Sequence, residues 1–292
     1  MKINPKIVKL IVLLGVGFTS LSAIFGRLIT APSLISSMYR MAFSALILAV
    51  PALVKCRGEI QAAGRKNVLL CLLSGIFLGF HFALYLGSLK YTSIASSTVL
   101  IDMEVVFVAL VLLFFHERIP KRGVIGMLLA LAGSVVIAAG DRGGGSHILF
   151  GDLLAITGAM ATSVYTLIGR SERKHMSTTA YTFLVYTSAA VTLLLSALLS
   201  GAPLTGYPPT DYLWIFSMTV CCTMLGHSVY SWALKYISAA FISTAKLGEP
   251  IFATLLGVLI ISEIPKLNQI IGGIIVIFGI LIYLFAKEST DS

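Results

Sequence analysis

Leu89-Lys90-Tyr91 and Ser93 recur 145 positions later as Leu234-Lys235-Tyr236 and Ser238, and the correspondence extends outward from there. In the same register Glu104 falls on Glu249, Phe107 on Phe252, and Ile119-Pro120-Lys121 on Ile264-Pro265-Lys266. With one residue inserted, Gly126 and Gly133 fall on Gly272 and Gly279. Chance matches are easy in apolar sequence, but these keep their order around equivalent segments. The chain therefore divides into two copies of one unit, residues 1–142 and 146–287, on either side of the glycine run Gly143-Gly144-Gly145.

Both units are too apolar for water. The 292 residues are 58% hydrophobic and only 11% charged, with mean hydropathy +0.97. A soluble domain carries about 25% charged residues, so the excess apolar surface has to face lipid. A membrane span takes about 20 mainly apolar residues. Turn signals and charge clusters delimit ten such segments: 8–27, 34–54, 68–89, 93–115, 123–140, 151–169, 178–200, 212–234, 238–262 and 268–286. The apolar run Leu10 to Gly26 follows Lys2, Lys6 and Lys9. It exceeds the core of a signal peptide, about 7–15 residues, and is expected to be a retained first helix. Five spans per unit is an odd number, so the second copy enters the membrane upside down. The expected fold is an all-α, multi-pass membrane protein of ten transmembrane helices in a 5+5 inverted repeat. Inverted repeats are an architecture of secondary transporters, with the site near the midplane at the repeat interface.

The formal net charge of +9 is better explained by basic cytoplasmic loops than by nucleic acid. With the N-terminus cytoplasmic, Lys2, Lys6, Lys9, Lys55, Arg57, Arg65, Lys66, Arg118, Lys121, Arg122, Arg170, Arg173, Lys174, Lys235 and Lys287 share that side. Arg27, Lys90, Arg142 and Lys266 take the other. Both termini are thus expected in the cytoplasm, and the protein in the cell membrane. Cys56, Cys71, Cys221 and Cys222 have no CxxC spacing, which argues against a disulfide framework or a metal site.

An ionisable residue at the centre of a spanning helix costs about 2.5–3.5 kcal/mol on insertion scales, so it is a functional candidate by default. The fourth span holds Asp102 and Glu104; the ninth holds Lys246 and Glu249. Glu104 and Glu249 are repeat equivalents, placed to face one central cavity. Lys246 and Glu249 are three apart, share a face of a continuous helix and are expected to pair. Asp102 lies about 200° around the helix from Glu104 and is expected, with Arg40 of the second span, to serve structural ion pairing. Pro250 lacks an N–H and marks a hinge that frees a carbonyl at mid-depth. His81 and Tyr85 share a face of the third span, and His227, Tyr230 and Trp232 lie on the eighth. A lone helical histidine is more often a packing residue, but two at nearly equivalent repeat positions are candidates for the cavity. With Glu104, Glu249 and Lys246, these side chains make the expected set for substrate or proton binding. Three embedded carboxylates face two cations, so one carboxylate is left to exchange a proton or to meet a cationic or zwitterionic solute.

Several local stretches together resemble the drug/metabolite transporter superfamily, and in particular EamA-type transporters. They are Ser22-Ala23-Ile24-Phe25 with Arg27, Tyr39-Arg40, Ser88 through Ser97, Gly151-Asp152-Leu153-Leu154-Ala155 with Tyr165, Glu249-Pro250, and the span-closing Glu117 and Glu263. The resemblance implies a ten-helix inverted bundle with a central cavity shaped by the third, fourth, eighth and ninth helices. It also implies alternating access and, commonly, export of metabolites, amino acids or drugs. The chain departs from the pattern in three ways. The proline common midway in the fourth helix is replaced near Glu104-Val105, Lys246 is an unusual charge, and the tryptophans often found in the first and sixth helices are missing.

Two other classes compete with a transporter. An intramembrane lipid-modifying enzyme needs a clustered nucleophile or His/Asp set, and His116-Glu117-Arg118 is the one local cluster. A non-transporting scaffold needs an appended soluble domain, whereas the loops are short. There is no GxxxxGK[ST] run to support ATP drive. The expectation is a non-enzymatic secondary transporter without cofactor. Its partners would be a small-molecule substrate, the lipid bilayer and coupling protons, with no nucleic acid; a homodimer is left open.

Overall fold

A computed structural model describes residues 4–88, 91, 94–115, 119–138, 148–261 and 266–286. Every regular element among them is helical. In order these are α1 (Pro5–Leu28), α2 (Ser33–Lys55), α3 (Arg57–Ala62), α4 (Gly64–Ser88), α5 (Ile94–Asp102), α6 (Glu104–Phe114), α7 (Lys121–Ala138), α8 (Ile148–Glu172) and α9 (Thr178–Leu199). There follow α10 (Pro209–Met218), a π segment (Thr219–His227), α11 (Ser228–Ala233), α12 (Ala239–Lys246), α13 (Glu249–Ile261) and α14 (Leu267–Leu284). Helix is the form that satisfies each backbone group within its own segment, as a bilayer requires. Eight segments of the described chain are long and apolar enough to cross one: 5–26, 33–55, 64–88, 97–114, 148–172, 178–199, 209–233 and 267–284. The two other expected spans, 123–140 and 238–262, correspond to α7 and to α12 with α13.

Caps fix where helices begin. Asn4 accepts from Lys6 N, Ser177 from Ala180 N and Ser238 from Phe241 N, each satisfying a free amide of the first turn. Pro5 and Pro209 sit at first helical positions, where the missing N–H costs nothing. Gly64 turns the chain from α3 into α4 at φ 78°, a conformation only glycine takes without strain. Ser93, His116, Glu117, Glu263 and the glycine run lie outside the described residues.

The packing pairs corresponding elements. α4 lies on α8 as α1 lies on the π segment, and α5 and α6 lie on α8 as α13 lies on α1. Gly158 is covered by Leu84 and Tyr85, and Gly15 by Val229 and Tyr230, the residues 145 positions later. α7 and α14 cross at backbone contact through glycines. A Cβ on Gly126 would lie 2.6 Å from the Gly279 carbonyl oxygen, and one on Gly133 would lie 2.7 Å from that of Gly272. The lower-numbered glycine of each helix meets the higher-numbered one of the other, so the two helices run antiparallel. Small residues let membrane helices approach this closely.

Two ties hold opposite ends of the bundle. Asp211 Oδ2 at the start of α10 accepts from Thr30 N, Thr30 Oγ1 and Ala31 N at 3.1, 2.8 and 2.7 Å. Arg173, after α8, donates to the Ser231 carbonyl at 2.9 Å and to Thr178 Oγ1 at 2.7 Å, and reaches the Met176 carbonyl as well.

Candidate functional site

The expected fourth and ninth spans are both interrupted, at equivalent places. Met103 separates α5 from α6, and Leu247-Gly248 separate α12 from α13, so Glu104 and Glu249 each open the second half of a broken helix. At the breaks the backbone tightens to bonds three residues back: Met103 N to Leu100 O at 3.3 Å, Leu247 N to Thr244 O at 3.2 Å and Gly248 N to Ala245 O at 3.0 Å. Pro250 is the second residue of α13, a first-turn position that tolerates proline. It starts a new half-helix and so marks the break the sequence suggested. The fourth span breaks without a proline, with Val105 in the corresponding place.

The break overturns the expected Lys246–Glu249 pair. Lys246 closes α12 while Glu249 opens α13, so the three-residue spacing no longer places them on one face. Lys246 Nζ instead pairs across the repeats with Glu104, at 2.9 Å from Oε2 and 3.1 Å from Oε1. Thr166 of α8 donates to Glu104 Oε1 at 2.8 Å and Ser243 of α12 at 3.2 Å. Glu104 is 5% exposed; its charge is compensated and its oxygens are bonded, as a buried carboxylate needs. The termini help, because a cation ends α12 and an anion begins α6, each suited to the dipole of its own helix.

Glu249 is different. It is half-buried, and its Oε1 accepts from Thr19 Oγ1 of α1 at 2.9 Å. Thr19 also meets the Tyr230 hydroxyl at 2.9 Å, and Tyr230 presents its ring to Lys246 Nζ at 5.3 Å. Ser20 bonds the Glu249 carbonyl at 3.1 Å. No described cation pairs with Glu249. Two carboxylates equivalent in sequence are thus unequal in structure, one closed by a lysine and one open.

The histidines stand in the same neighbourhood. His81 Nδ1 lies 3.1 Å from the Gly158 carbonyl, and its ring stacks on Tyr85, whose hydroxyl bonds Thr98. His227 ends the π segment and packs edge-on against Phe82 at 5.5 Å and Tyr230 at 5.8 Å. A π segment is rare and concentrates at functional sites; here it sets Thr223 and His227 toward α2 and α4.

Three further expectations need correcting. Arg40 pairs with no carboxylate among the described residues: its Nε donates to Thr223 Oγ1 at 2.7 Å and its guanidinium lies over the Phe82 ring at 4.7 Å. Asp102 enters no ion pair among the described residues, and its buried Oδ2 makes no hydrogen bond. Trp232 leaves the cluster, because two residues beyond Tyr230 it points around the helix and packs on Tyr236 at 5.1 Å. Thr19, Ser22, Phe82, Thr166 and Thr223 join the site without having been singled out in the sequence as site residues. A hydroxyl in a spanning helix is too common to stand out, since it can bond its own backbone.

Comparison with known proteins accords with this architecture. The sequence profile of the EamA-like transporter family matches residues 6–139 and again 149–285, covering each half once. An uncharacterized transporter of Archaeoglobus fulgidus is 29% identical over 256 residues, 83% of this chain and 86% of its own. The uncharacterized transporter YetK of Bacillus subtilis is 25% identical over 282 residues, 93% of this chain and 84% of its own. One crystal structure superposes with a TM-score of 0.78 at 19% identity, over 96% of this chain and 98% of that one, and so shares the fold. With its two matched repeats and its multiple membrane-spanning helices, the chain belongs to the EamA-like transporter family.

Proposed function

We propose that this membrane transporter is a secondary transporter that moves a small metabolite, an amino acid, amine or drug-like solute, across the cytoplasmic membrane by alternating access. The proposed frame is ten helices in a 5+5 inverted repeat with both termini in the cytoplasm, working as a proton-coupled exporter. One observation carries the proposal: two broken helices touch through α6 and α12, each opening its second half on a repeat-equivalent glutamate. Discontinuous helices at a repeat interface are the usual setting of a transporter's substrate and ion sites. The antiparallel crossing of α7 and α14 supports inversion, because equivalent helices of two like-oriented units would run parallel. The basic loops support the orientation.

Within this frame Glu249 is the working carboxylate. It is half-buried and pairs with no cation among the described residues, so it can give up its proton to one side and meet solute from the other. Glu104 and Lys246 join the two repeats by a compensated pair and hold them in register. The test is uptake of an amino-acid and amine panel by purified protein in liposomes, with and without a pH gradient. Gradient-dependent uptake of one class is the expected result; a blank across the panel removes the proposal.

A further inference from the structure

We propose that Arg40 and His227 form an anion subsite, and that together with Glu249 they select a zwitterion, a small solute bearing one carboxylate and one ammonium. The inference rests on the transport function proposed above and names its substrate class.

Arg40 is 3% exposed in the first half of α2. Its Nε donates to Thr223 at 2.7 Å and its Nη1 to Ser22 Oγ at 3.4 Å, while Nη2 makes no hydrogen bond. No described carboxylate pairs with it. A guanidinium keeps its charge in proteins, and a buried charge without counter-ion is costly. A purely structural arginine would be expected to satisfy its whole fork. This one keeps Nη2 free, and an open N–H of a charged guanidinium is suited to an anion oxygen.

A second orphan stands beside it. His227 Nδ1 is buried and makes no hydrogen bond. Both groups contact Phe82, whose ring is 4.7 Å from the guanidinium carbon and 5.5 Å from the His227 ring. Two unsatisfied polar groups from separate elements, α2 and the end of the π segment, thus share contact with one aromatic ring.

The opposite charge is within the same cluster. Arg40 reaches Ser22 and Glu249 reaches Thr19, and residues three apart share a face of a helix. Arg40 and Glu249 therefore approach one stripe of α1 about a turn apart, without pairing with each other. Lys246 does not compete for the anion, since Glu104 occupies it. A solute that satisfies both open charges has to carry both signs.

The test is thermal unfolding of detergent-purified protein with glycine, L-leucine, L-phenylalanine, phenethylamine, benzoate and inorganic phosphate. At least one amino acid should stabilise the wild type more than the matched amine, and benzoate more than phosphate. Arg40→Gln should weaken amino-acid and benzoate binding about 10- to 100-fold, the range for a hydrogen bond to a charged group, and leave phenethylamine unaffected. Should that variant fail to fold, Arg40→Lys keeps the charge and loses the fork, and a smaller weakening of the same ligands is expected. Unchanged binding in the folded variant, equal stabilisation by phosphate, or no stabilisation of the wild type by any amino acid or benzoate overturns the subsite. Failures of the two ideas separate in liposomes. Selective binding without uptake removes transport and keeps the subsite. Uptake of amino acid and amine at equal rates removes the subsite and keeps transport.

Discussion

Lys246 decides which of two equivalent glutamates is open. Its bond to Glu104 means that Lys246→Met leaves a carboxylate buried and alone, a change that costs about 3–5 kcal/mol in comparable pairs. Thermal unfolding in detergent should register that loss. Adding Glu104→Gln should recover much of it, because the double variant holds no unpaired charge. Additive losses would show that the two side chains do not act as a pair. In the sequence the ionisable residues were legible, since a charge in an apolar run is conspicuous. Their partners were not. The three-residue rule that joined Lys246 to Glu249 assumes an unbroken helix, and Leu247-Gly248 end that helix between them. Arg40 was read as an ion-pair partner because its hydroxyl and aromatic neighbours, Thr223 and Phe82, come from distant elements that no local pattern links to it.

The breaks and the glycine crossing determine how the elements sit. Pro250 announced the interruption of the ninth span, whereas the fourth breaks at Met103 with no proline to mark it. The π segment was equally silent, since it differs from α-helix by one added residue per turn and not by residue type. The glycines were legible only as repeat-equivalent positions, and the structure makes them the contact between α7 and α14. Gly133→Leu should push these helices apart and lower stability by about 1–3 kcal/mol or more, as overpacking does. Gly58→Ala in α3 meets nothing within 4 Å and should be neutral or stabilising by up to about 1 kcal/mol. Unfolding temperatures of the two variants provide the comparison, and an equal effect would contradict the crossing.

For the whole molecule, duplication and membrane location were readable from composition and register alone, because apolar length and repeated order are global properties. The inequality of the halves was readable only in part, through Lys246 and Pro250. Topology is the first test at this scale: a reporter fused to the C-terminus should be active when it requires the cytoplasm, and activity confined to the outside would reverse the charge-based orientation. The central claim is that Glu249 is the open carboxylate through which protons and solute exchange. It is tested most directly in liposomes with an acidic lumen, where protons leaving drive solute in. The wild type should accumulate its solute only while the gradient lasts, and Glu249→Gln should lose the gradient-driven component while remaining folded. A folded Glu249→Gln protein that accumulates solute as the wild type does would contradict the claim.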